Sequence, residues 1–142
     1  MNSPTEQSRR QSETGVWSLI AAVAWALFIL GLCTVPGEDL PTVDVISADK
    51  IGHFGVFAIL GWLWMRSWPP SDPRRRLKQV LLAGFAYAVL TEAYQGLVPI
   101  GRMADIWDAV ANSGGLFAGA GLYRYLTYRT SSRIPAGASD RV

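Results

Sequence analysis

Cysteine and histidine each occur once in the 142 residues, as Cys33 and His53. A single cysteine excludes an internal disulfide and a Cys-based zinc site, and a single histidine excludes the H-x-x-x-H and H-E-x-x-H metal patterns. Ser113 is the only serine near the polar residues discussed below, and Cys33 has no base beside it in sequence, so Ser- or Cys-hydrolase chemistry is not expected. Neither a metal nor an organic cofactor is expected on these grounds. Charge is scarce as well: 17% of residues are Asp, Glu, Lys or Arg, against about 25% in an ordinary soluble domain. The net charge of +2 is too small to point to a nucleic acid partner.

What the chain does have is apolar length. Half of its residues are hydrophobic and the mean hydropathy is +0.20. Four apolar runs, Val16–Val35, Ile51–Trp68, Leu77–Val98 and Ile106–Tyr125, each approach the ~20 residues needed to cross a hydrocarbon core about 30 Å thick. The first and third show no polar face that a buried helix of a soluble protein would turn to water. Strands are disfavoured, because the runs are long and lack period-2 alternation, and backbone satisfaction in lipid requires helices. The first run has no small-x-small cleavage pattern at its end and reads as a retained helix. The expected fold is all-α: an integral membrane protein, an antiparallel bundle of four transmembrane helices over residues 16–126, with disordered cytoplasmic tails at 1–15 and 127–142.

The basic residues divide unevenly. Eleven Lys and Arg fall in the two tails and in the connection after the second span, while only Lys50 and Arg102 fall in the other two loops, beside Glu38, Asp39, Asp44, Asp49, Asp105 and Asp108. The positive-inside rule then places both termini in the cytoplasm, in a multi-pass arrangement.

The ionisable residues that do not flank spans gather at the outward level. Asp49 and His53 are i,i+4; Glu92 and Gln95 are i,i+3; Asp105, Asp108 and Asn112 step by three and seven, so three helices each carry a polar stripe. Continuing the last stripe gives Gly115 and Gly119, which let a neighbouring helix approach closely. Glu92 lies about 9 Å below the outer end of its span, at a depth similar to Asn112. A carboxylate there is costly, by about 2.5–3.5 kcal/mol at mid-membrane, so Glu92 must face inward, be paired or be protonated.

The strings Asp49-Lys50-Ile51-Gly52-His53-Phe54, Glu92-Ala93-Tyr94-Gln95, Arg102-Met103-Ala104-Asp105-Ile106-Trp107-Asp108 and Asn112-Ser113-Gly114-Gly115 together resemble the VanZ-like membrane protein family. The pattern D-K-x-x-H-F, E-x-x-Q, R-x-x-D-x-x-D-x-x-x-N-x-x-G covers the second to fourth spans, with the first span and both tails outside it. The resemblance implies a small protein of the bacterial inner membrane, in a family associated with resistance to the lipid-anchored glycopeptide teicoplanin, and implies no particular reaction. Asp49, Lys50, His53, Glu92, Gln95, Arg102, Asp105, Asp108 and Asn112 are therefore the candidate ligand-binding residues, with Gly115 as a further matched position. The expected ligand is the anionic head group of a membrane lipid, a polyprenyl phosphate or an envelope precursor. Lys50 and Arg102 would supply its countercharge, and apolar helix faces would take the chain. Two other readings are an enzyme using Glu92, His53 and Asp108 on such a head group, and a proton- or cation-coupled transporter built on Glu92, which would call for a homo-oligomer.

Overall fold

The computed structural model describes residues 4–35, 45–67, 72–97 and 105–131. They form four helices, α1 (Pro4–Leu32), α2 (Val45–Ser67), α3 (Pro73–Leu97) and α4 (Ile106–Ser131). The fold is all-α. Helix starts follow from local chemistry. Pro4 and Pro73 each open a helix where a missing N–H costs nothing. Asp72 accepts from the N–H groups of Arg74 and Arg75, both at 3.0 Å, and Asp105 accepts from Trp107 N–H at 2.8 Å, so two aspartates cap α3 and α4.

The expected tails are shorter than the sequence suggested. Residues 4–15 belong to α1 and residues 127–131 to α4, because a helix once nucleated extends through residues such as Glu, Gln and Arg at little cost. Residues 1–3 and 132–142 lie outside the described residues.

The most extensive contact is between α2 and α4, and glycine makes it. A Cβ on Gly115 would collide with the carbonyl oxygen of Phe54, and one on Gly119 with that of Ala58. The two backbones touch there, as the small residues at these positions allow. Helix α3 packs on α4 and α2, with Leu116 filling the space beside Gly84. Ile29, Cys33, Phe57, Leu60, Ala88 and Leu116 form the main core, and Met65, Val80 and Ala120 a second one. Helix α1 lies against α2 and is tied by two half-buried donors: Trp25 Nε1–H donates to the Val56 carbonyl at 2.9 Å and Tyr87 O–H to the Ala26 carbonyl at 2.5 Å.

The exterior is apolar on every helix, with Trp17, Ile20, Leu27, Ile59, Leu82, Phe85, Leu90, Val110, Phe117 and Leu122 exposed. Apolar exposure on that scale marks a surface made for something other than water. Gly15–Leu32 within α1, with a mean hydropathy of 2.2, and Pro73–Leu97 are long and apolar enough to cross a membrane. Helix α2 falls short of the same measure because it carries Asp49, Lys50, His53 and Arg66, and α4 because it mixes four glycines with Asp108, Asn112 and Arg124.

Candidate functional site

One end of the bundle collects the C-terminal part of α1, the N-terminal part of α2, the C-terminal part of α3 and the N-terminal part of α4. Consecutive helices therefore alternate in direction, and three polar stripes meet. Because α2 and α4 touch at Phe54 and Gly115, the turns just before them are held face to face. Asp49, Lys50 and His53 of α2 stand opposite Asp105, Asp108 and Asn112 of α4.

Lys50 Nζ donates to Asp105 Oδ2 at 2.8 Å and to Asp108 Oδ1 at 2.9 Å. The two hydrogen bonds, to Asp105 and to Asp108, hold the Lys50 ammonium well above the ordinary lysine range. The Lys50 hydrogen bond, followed by that from Trp107 N–H, pulls the Asp105 carboxyl below the usual carboxylate range. Asp105 thus caps α4 and anchors Lys50 at once.

Deeper in, a second chain of contacts runs across three helices. Asn112, fully buried, donates through Nδ2 to Glu92 Oε1 at 3.0 Å. Its amide oxygen then faces His53 Nδ1 at 3.0 Å. An amide oxygen only accepts, so Nδ1 carries the ring proton and donates. Glu92 Oε1 also lies 3.9 Å from Nδ1. The other ring nitrogen, Nε2, is 3.7 Å from Asp49 Oδ1 and 3.9 Å from Asp108 Oδ2. One ligand atom from each of Asp49, His53 and Asp108 lies within 4.8 Å of the others; spacing had joined Asp49 to His53, and the fold adds Asp108 from α4.

Beside this cluster is a cavity of about 250 Å³ with two kinds of wall. Asp49, His53, Thr91, Gln95 and Asn112 give it polar lining, and Ile29, Leu32, Val35, Val56 and Phe57, with Cys33, apolar lining. Among the expected site residues, eight are brought to this end of the bundle: Asp49, Lys50, His53, Glu92, Gln95, Asp105, Asp108 and Asn112. Arg102 lies outside the described residues. Lys50, expected to offer its charge to a ligand, is instead engaged by two carboxylates, because Asp105 and Asp108 face it from the first turn of α4.

Sequence reasoning missed two contributors. Thr91 is buried one turn before Gln95 on the polar wall, and its i,i+4 relation to Gln95 was available as a signal. The apolar wall comes largely from α1, which carries no ionisable residue between Val16 and Leu32 and so gave none.

A model of the VanZ/LLP1 family matches residues 3–127. The chain belongs to the VanZ/LLP1 family. The match begins at residue 3 and so takes in α1, which the motif-based resemblance had left outside. No curated protein and no solved structure matches this VanZ/LLP1 chain. With two helices apolar enough to cross a bilayer, family membership supports a membrane protein.

Proposed function

We propose that the chain is a four-span protein of the bacterial inner membrane, both termini cytoplasmic, whose outward end recognises the head group of an anionic lipid or lipid-linked envelope precursor. The observation that carries this reading is the mixed lining of the cavity, where Asn112, His53 and Gln95 supply polar atoms and Ile29, Val56 and Phe57 apolar ones around a space of about 250 Å³. Such a space suits a molecule that is polar at one end and hydrocarbon at the other. Because Lys50 is held by Asp105 and Asp108, the cation left by the sequence to meet a phosphate is Arg102 rather than Lys50. A role in glycopeptide resistance fits such recognition, since the same envelope precursors are the material on which those antibiotics act.

Native mass spectrometry of the protein released from membranes tests the reading directly. A co-purifying phospholipid or polyprenyl phosphate, lost in Arg102→Ala with membrane insertion unchanged, is the expected result. Retention of the same lipid by Arg102→Ala, or no bound lipid in the wild type, overturns it. Incubation with candidate envelope lipids adds a second arm, because covalent turnover would make the chain an enzyme instead of a binder.

A further inference from the structure

The geometry around His53 is unusual for an empty polar cluster. Nδ1 donates to Asn112, so in the neutral ring Nε2 presents a lone pair. That lone pair faces two carboxylate oxygens, Asp49 Oδ1 at 3.7 Å and Asp108 Oδ2 at 3.9 Å, and neither contact is a hydrogen bond. Three electron-rich atoms this close are held together by a positive charge shared between them, a proton on Nε2 or a metal cation. A metal about 2.0–2.2 Å from each donor would set N···O separations near 3.3–3.6 Å in tetrahedral geometry. The two His53 sides of the triangle lie within a few tenths of an ångström of that size, and its third side, between the carboxylates, is no longer than 4.8 Å.

Glu92 supplies a second, independent observation. It is 6% exposed, and its Oε2 has no hydrogen-bond partner among the described residues. A buried carboxylate oxygen left without a donor is expensive. It sits one hydrogen-bonded residue behind His53, where the charge of a bound cation, or a water held by that cation, would offset the deficit. Among the described residues, Glu92, Asp105 and Asp108 gather here around the ammonium of Lys50.

We propose that Asp49, His53 and Asp108 bind one divalent cation of the zinc or manganese type at the mouth of the cavity. One imidazole nitrogen and two carboxylates suit those ions. The neighbours orient the donors: Asn112 fixes the ring, and Lys50 holds Asp108 by Oδ1 and leaves Oδ2 turned to the site. Three protein ligands leave coordination positions open, and since Asp49 and His53 line the cavity those positions give onto it. The cation site stands on this geometry whether or not a lipid is recognised. It also deepens the head-group reading, because it places a positive centre for a phosphate oxygen within an otherwise acidic cluster.

The test uses full-length protein in detergent, stripped with EDTA and titrated calorimetrically with zinc chloride and manganese chloride, without added lipid. One ion per chain is expected for at least one of the two metals. His53→Ala and Asp49→Asn should each weaken binding more than tenfold, and Asn112→Leu, which keeps all three donors, about tenfold. Arg74→Ala, at the far end of α3, should bind as the wild type does. Circular dichroism accompanies each variant, and Asp49→Asn, isosteric and near the rim, carries the test if His53→Ala does not fold. Wild-type protein that takes up neither ion stoichiometrically, or Asp49→Asn that binds with wild-type affinity, overturns the proposal. Metal uptake without lipid binding would reject the head-group reading alone, and lipid binding without metal uptake would reject the cation site alone.

Discussion

Asp105 does two separable jobs, capping α4 and holding Lys50. Asp105→Asn keeps a capping oxygen and loses the charge, so it isolates the ion pair. The Asp105 carboxyl lies below its ordinary value in the folded chain, so its contribution is complete above that ordinary value and fades as pH falls through the folded one. Thermal unfolding in detergent should therefore show the wild type losing stability below about pH 4, and Asp105→Asn losing less over the same interval. Asp105→Ala should unfold at a lower temperature than Asp105→Asn at neutral pH, having lost the cap as well. The residue types at this end of the bundle were legible from spacing alone, since Asp49 with His53 and Asp108 with Asn112 each share a helix face. Their pairing was not. Lys50 could have faced a ligand, and only the register of α2 against α4 shows that it faces Asp105 and Asp108 instead.

At the scale of the helix, that register depends on Gly115 and Gly119. Exposed helical glycines generally gain about 1 kcal/mol on replacement by alanine. Gly121 has open space around it, and Gly121→Ala should be neutral or stabilising by that amount. Gly115→Ala and Gly119→Ala should behave oppositely and destabilise by about 1–3 kcal/mol, since each new methyl meets main-chain atoms of α2 that have no rotamer to yield. Denaturant or thermal unfolding of the three variants decides it. Gly115→Ala should also part His53 from Asn112, which histidine NMR of the Nδ1 proton would report. The existence of all four helices followed from apolar run length, whereas their ends did not: Pro4 starts α1 well before the apolar stretch, and α4 runs on past Tyr125 to Ser131. Those extensions are polar, and apolar length cannot see them.

At the scale of the whole molecule, the asymmetry of Lys and Arg makes a claim about sidedness. In a Cys33→Ser background, single substitutions Ser3→Cys and Ser139→Cys should react with an impermeant thiol reagent only in inside-out vesicles, and Thr42→Cys only in right-side-out ones. Reaction of Ser3→Cys and Ser139→Cys from opposite faces would reject an even number of spans. Charge was readable residue by residue, but the cavity was not, because Ile29, Leu32, Cys33 and Val35, at the end of α1 and in the turn after it, line it from a stretch with no ionisable side chain but the thiol. The contact between α2 and α4 has a further consequence. Side chains relax by hopping between rotamers, but a main chain resting on a main chain has a hard stop. The spacing of the polar cluster is therefore calibrated by peptide groups, and the exposed apolar residues of both helices are left at liberty to drift in size without detuning it.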